Sequence, residues 1–162
     1  DPASRYLCAY CAGSSCMSWC VRLARLSDAE RICDINVGSL GYDYSLCDTR
    51  ERLAKILVRP TDRIWVVCRE EDGEVCGYLH AADYEVVYMG SMKNILALAV
   101  DEAFQGAGLG RLLLNAVEDW ARDCGCYAVR LVSGFNRVKA HQFYLHCGYR
   151  IRKEEKNLIK EL

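Results

Sequence analysis

The chain has 162 residues, 52% of them hydrophobic and 27% charged, a balance that suits one folded domain and excludes a disordered tract. Its 21 basic and 22 acidic side chains leave a formal charge of −1, so no general attraction to nucleic acid or to an anionic membrane is expected. No apolar run approaches the roughly 20 residues that span a bilayer.

Residues 1–16, "DPASRYLCAYCAGSSC", lack the basic end and apolar stretch of a secretory signal and have no clear period. They read as a Cys-rich leader or an artificial appendage ahead of a domain spanning 17–162. Cys8-x2-Cys11-x4-Cys16-x3-Cys20 crowds four thiols together, but a structural zinc site separates its two Cys pairs by a longer loop; no metal is expected. The chain holds 11 cysteines. Several, such as Cys68 in "WVVC" and Cys76 in "EVCGYL", sit in strand-like runs as small apolar fillers, which points to a cytoplasmic protein with free thiols.

"CVRLARL" (20–26) reads as a first strand. Ser27 with Glu30 makes a capping box, so a helix is predicted from Asp28 to near Gly41. "GYDYSLC" is a loop, and Asp48 with Glu51 repeats the cap signal before a second helix, "RERLAKILVR", which Pro60 stops. Strands follow at 63–70 and 74–82, joined by the hairpin signal Asp72-Gly73. "DYEVVYMGSMK" reads as a loop or edge region and "NILALAV" (94–100) as a buried strand. Leu109, Leu112, Leu113, Ala116, Val117, Trp120 and Ala121 form the buried stripe of a helix over about 108–124. "YAVRLVS" (127–133) is a strand, "RVKAHQFYLHC" (137–147) a helix closed by Gly148, and "YRIRKEEKNLIKEL" one or two final strands. The order predicts a mixed α/β domain with a central sheet.

"QGAGLG" (105–110) lies between the apolar strand and the amphipathic helix. Glycine lets the backbone turn tightly and approach a ligand closely, and N–H groups at a helix N-terminus stabilise a pyrophosphate. A P-loop would need Lys-Ser/Thr after the last glycine, where Arg111-Leu112 stand. A dinucleotide fingerprint would need its third glycine one residue later and a place at the first strand of the fold. A plain strand-to-helix turn accounts for the glycines alone.

The remaining pattern is Gln105-x-x-Gly108-x-Gly110. With Arg137, Ala140, His141, Phe143, Tyr144, Gly148 and Tyr149 downstream, it resembles the GNAT N-acetyltransferase superfamily over about residues 19–162, most strongly over 94–149. Within that superfamily the chain looks most like the small bacterial aminoglycoside 6'-N-acetyltransferase-like branch. The resemblance implies a GNAT fold: a mixed central β-sheet, about four flanking helices, and splayed fourth and fifth predicted strands, between which the pantetheine arm of acetyl-CoA enters like an added strand.

The same resemblance implies an acyltransferase that moves an acetyl group to a primary amine by direct attack. Coenzyme A would be held by Leu98, Ala99 and Val100, by Gln105, Gly106, Ala107, Gly108, Leu109, Gly110 and Arg111, and by Asn136, Arg137 and Tyr144. The Leu98 N–H would stabilise the oxyanion, and Tyr144 would protonate the leaving thiolate. His141 and His80 read as structural histidines. Asn136 reads as well as a helix N-cap, and Arg111 as a solvent-facing helix residue.

Tyr42, Asp43, Asp83, Tyr84 and Glu85, with Tyr44 and Tyr88, would line the acceptor side, where carboxylates and phenols suit a cationic amine. Small amines, polyamines, aminoglycosides and peptide or protein amines all fit. An alkylammonium must lose a proton before attack, at roughly 4 kcal/mol at pH 7. Relatives often carry a glutamate on the fourth strand for this step; here the position is Asn94, which cannot accept a proton. Asp43, Asp83, Glu85, His80 or a water chain are the other bases, and a non-catalytic coenzyme-A-binding sensor is the rival reading. Propionyl or succinyl transfer is a further alternative. Homodimers recur in the family, so self-association is among the expected partners.

Overall fold

The structure, a computed structural model, describes residues 17–162 and the backbone of 7–10. Six strands lie in the sheet in chain order: β1 (Leu7–Tyr10), β2 (Met17–Leu23), β3 (Asp62–Arg69), β4 (Val75–Val86), β5 (Met89–Val100) and β6 (Ala128–Leu131). Every neighbouring pair is antiparallel except β5 and β6, which run parallel. The helices are α1 (Ala29–Ile35), α2 (Leu46–Leu57), α3 (Leu109–Asp123) and α4 (Val138–His146). The chain divides after Leu131 into two compact units, so α4 belongs to a C-terminal unit of its own.

In the larger unit, helices cover both faces of the sheet. Ile32 and Ile35 of α1 and Leu53 of α2 share one buried cluster with Ile64, Val66, Tyr78 and Ala99. On the opposite face Trp120 of α3 packs edge-on against Trp65 of β3, ring centroids 5.6 Å apart. The buried stripe of α3 is Leu109, Leu113, Leu114, Ala116, Val117, Trp120 and Ala121. It includes Leu114, while Leu112, which the periodicity favoured, is only half-buried, so the buried arc is turned toward Leu114 relative to the predicted stripe.

Several boundaries differ from expectation. The first strand of the predicted domain ends at Leu23, and a 3-10 turn (Leu26–Asp28) precedes α1. The Ser27–Glu30 box does not form. Asp28 instead turns back, accepting two hydrogen bonds from Arg22 at 2.8 and 2.9 Å and one from the Arg25 N–H at 2.7 Å. After α1 a π-helical turn (Asn36–Leu40) ends at Gly41. α2 starts a few residues early, because the Ser45 side chain caps it by accepting from the Asp48 N–H. The Asp72-Gly73 hairpin forms as predicted, with the Gly73 N–H donating to the Arg69 carbonyl at 2.8 Å.

"DYEVVYMGSMK" is not a loop. β4 and β5 run on through it and meet at a turn at Val87–Tyr88. Its charges pair across the strands, Asp83 with Lys93 at 2.5 Å, so they fit a ladder that composition alone would not suggest. Residues 149–162 form no strand. Their run of Lys153 to Lys156 is exposed and offers no apolar face for a sheet to bury. Within the expected leader, Leu7–Tyr10 pairs with Met17–Cys20. Cys11, Cys16 and the side chain of Cys8, three of the four thiols weighed as metal ligands, lie outside the described residues.

Candidate active site

The site begins at an irregularity in β5. His80 and Ala81 of β4 are consecutive, yet they face Ala97 and Ile95, so Leu96 is an extra residue. A bulge of this kind bends its strand and ends regular pairing. The parallel ladder with β6 runs from Met92↔Ala128 to Ile95↔Leu131 and stops directly before Leu96. Beyond it β5 continues to Val100 without a partner from β6, and Leu96 is 55% exposed.

The backbone groups of that free stretch can be assigned by alternation. The Asp101 N–H donates to the Cys76 carbonyl at 2.8 Å, which makes that opposed pair hydrogen-bonded. In an antiparallel ladder every second pair is then bonded. Ala99 therefore spends its groups on Tyr78, while the N–H and C=O of Leu98 and Val100 point away from β4. Consistent with this, the Val100 carbonyl accepts from Ser39 Oγ at 2.8 Å and from Gln105 Nε2 at 3.3 Å.

Asp101 anchors the turn between β5 and α3. Its carboxylate accepts from the Ala103 N–H at 2.9 Å and from Arg31 Nη2 at 2.8 Å, and Arg31 also donates to the Val75 carbonyl. The hydrogen bond from Arg31 and that from the Ala103 N–H hold the Asp101 carboxyl below its ordinary range. The chain passes through a 3-10 turn (Glu102–Phe104) into Gln105–Gly108. Gly106 has φ 85° and Gly108 φ 80°, left-handed values that a side chain strains to adopt. Open space surrounds both where a Cβ would stand. Gly108 is the N-cap of α3 and has no side chain to cap it, so the first N–H groups of α3, from Leu109 through Arg111, lack the usual partner. Ala107 lies between the two glycines, Gly110 is inside the helix, and Arg111 is exposed.

Asn94 accepts from Arg130 Nη1 at 2.8 Å across the β5–β6 rung, and the Arg130 guanidinium lies 4.3 Å from the centre of the Tyr84 ring. Tyr78, His80, Ala82 and Tyr84 alternate onto one face of β4, the face that carries α1 and α2. Asp83 and Glu85 point to the other. Asp83 holds Lys93, whose ammonium lies 3.7 Å from the centre of the Trp120 ring of α3, and Glu85 accepts from Ser91 Oγ. The predicted trio Asp83, Tyr84 and Glu85 is thus split between two faces. Tyr42, Asp43 and Tyr44 sit exposed on the loop before α2.

Among the candidate bases, His80 is engaged with Asp62 at 2.7 Å. Asp43 alone of the four side chains makes no such contact among the described residues. In the C-terminal unit, Asn136 lies in the turn before α4 and Arg137 is its N-cap, so the cap falls one residue later than expected. His141 Nε2 is 3.0 Å from the Gly134 carbonyl, a structural contact. The Tyr144 ring packs against Phe143 and Tyr149 at 5.2 and 5.6 Å between centroids, and burial pushes its phenol up from the ordinary value. Asp101, Arg31, Ser39 and Arg130 were missed in the sequence. Only Asp101, a capping residue type just after a strand, carried a local signal.

Residues 13–149 match the model of the Acetyltransferase (GNAT) family. Among curated proteins the chain is 29% identical over 133 residues to aminoglycoside N(6')-acetyltransferase type 1 of Stenotrophomonas maltophilia, covering 80% of this chain and 84% of the relative. It is also 29% identical to the L-amino acid N-acyltransferase MnaT of Escherichia coli K12, covering 78% and 75%. Among solved structures, aminoglycoside N-acetyltransferase AAC(6')-Iy in complex with CoA superposes with a TM-score of 0.80 at 12% identity, over 94% of this chain and 100% of that one.

Proposed function

Because the chain belongs to the GNAT acetyltransferase family and is an acyltransferase, we propose that it moves the acetyl group of acetyl-CoA to a primary amine. The single observation that carries the reading is the unpartnered end of β5 leading into an uncapped helix N-terminus. The outward N–H and C=O of Leu98 and the outward N–H of Val100 suit the amide-bearing pantetheine arm, which would bond as an added strand, while the Val100 carbonyl is held by Ser39 and Gln105. The free N–H groups from Leu109 to Arg111 and the α3 dipole suit the diphosphate. The remaining proposed coenzyme contacts are Ala99, Gln105, Gly106, Ala107, Gly108, Gly110, Asn136 and Arg137.

In the reaction the amine lone pair attacks the thioester carbon. The Leu98 N–H donates to the oxygen as it becomes an oxyanion. As the tetrahedral intermediate collapses, the carbon–sulfur bond breaks, the sulfur takes a proton, for which Tyr144 is the source, and the surplus proton shed by the attacking nitrogen restores the Tyr144 hydroxyl through solvent. A phenol whose pKa burial has raised holds its proton at neutral pH, as a general acid must. Asp43 is the carboxylate free to accept the ammonium proton. A cytoplasmic setting agrees with the free thiols of the described residues; no helix among those residues is long and apolar enough to cross a membrane.

Calorimetry with acetyl-CoA tests the reading directly. Gly108→Ala forces a left-handed alanine, costing roughly 1–2 kcal/mol, and puts a methyl group where the diphosphate would approach. Wild type should bind with micromolar affinity or better, and Gly108→Ala at least about 10-fold more weakly. No measurable binding by wild type would reject the proposal.

A further inference from the structure

Arg130 is half-buried on the sheet face that carries α1 and α2, and it makes no ion pair with a carboxylate among the described residues. One N–H goes to the neutral Asn94 amide oxygen, and the plane rests over Tyr84. A guanidinium carries five donors in a fixed fork. Here one is spent, and the charge is stacked and held but not neutralised. Asp83 and Glu85, the nearest carboxylates along β4, face the other way. A positioned, partly desolvated, uncompensated guanidinium is the chemistry that recognises a carboxylate or phosphate in bidentate fashion.

Its position gives the ligand a role. Arg130 reaches the Asn94 rung, one rung before the β5–β6 ladder ends at Ile95. The Leu98 N–H, where the thioester carbonyl would lie, is four residues further along β5. At about 3.3 Å per residue, less the hydrogen-bond lengths at each end, this leaves roughly 7–10 Å between a bound anion and the attacked carbon. We propose that Arg130 is a specificity-determining residue that selects acceptors bearing an anionic group several bonds from the reacting amine: a peptide-like carboxylate or an amino-sugar phosphate. The inference rests on the acetyltransferase reading and narrows the range of amine acceptors left open by the sequence to those that also carry an anion.

Thiol release from acetyl-CoA would be measured with matched acceptor pairs: triglycine against triglycine amide, and glucosamine 6-phosphate against glucosamine. Wild type should favour the anionic member of at least one pair by 10-fold or more in kcat/KM, and the pair that responds identifies the anion. In Arg130→Gln that ratio should fall to near one. Asn94→Glu, which supplies an internal carboxylate to the same guanidinium, should reduce it as well. Affinity for acetyl-CoA, measured separately, establishes that each variant is folded. Equal turnover of both members by wild type, a ratio untouched by Arg130→Gln, or thioester binding with no acceptor of either pair acetylated would overturn the inference. Absence of thioester binding by wild type would instead overturn the acetyltransferase reading beneath it.

Discussion

A phenol serves as a proton donor only while it holds its proton, and the Tyr144 environment favours that form. Burial raises its pKa, opposed by the charge of Arg137, so ionisation moves above the ordinary value of about 10. Tyr144→Phe retains the ring contacts with Phe143 and Tyr149 while removing the proton. It should lower kcat by about 100-fold, the lower end of what a general acid contributes. Wild-type kcat should show no decline from this group between roughly pH 6 and 9. An unchanged kcat in the variant would remove Tyr144 from the chemistry. At this scale the sequence was readable where a residue type alone carries meaning: Asn94 cannot be a base wherever it lies. Arg130 was not readable, because an arginine in a strand is meaningful only when its neighbours across the sheet are known.

Elements are fastened to one another by a few charged clasps. Arg22 of β2 holds Asp28 at the entrance to α1 with a two-pronged contact. Burial raises the Asp28 carboxyl pKa, but the bonds from Arg22 and the Arg25 N–H outweigh it and hold it below the usual range. Asp28→Ala strands the Arg22 charge, and should cost about 2–3 kcal/mol. A depressed folded pKa contributes stability above the unfolded value, about 4, and loses it as pH falls through the folded one. Urea melts should therefore show the gap between wild type and variant constant near neutrality and closing in acid; a gap that widened in acid would contradict this assignment. Here local pattern and outcome parted over the caps. Ser27–Glu30 had the right spacing, but Arg22 competed for Asp28 and the helix began after it. Long periodic segments such as α3 were legible because one buried stripe repeats over several turns.

Across the whole molecule the described cysteines are free but unequal. Cys47 and Cys124 are exposed, while Cys68 and Cys76 are buried. Burial pushes the Cys76 thiol to about 11 and raises Cys68 as well. At pH 8 roughly one Cys76 in a thousand is a thiolate, against about a quarter of ordinary thiols. Alkylation mapped by mass spectrometry should label Cys47 and Cys124 first, with Cys76 labelled only as the native state opens. Comparable rates for Cys76 and Cys47 would mean that β4 is not buried as described. The sequence by itself determined the glycine loop, its strand and helix, and the family motif, because those signals are local: a turn needing left-handed residues and an apolar stripe at helical spacing. Only the tertiary structure decided that Leu96 is a bulge, that β5 loses β6 after Ile95, and that Asp83 and Tyr84 face opposite ways. Those features are set by register between strands far apart in the chain, and an apolar run such as "NILALAV" is compatible with every register until its partners fix one.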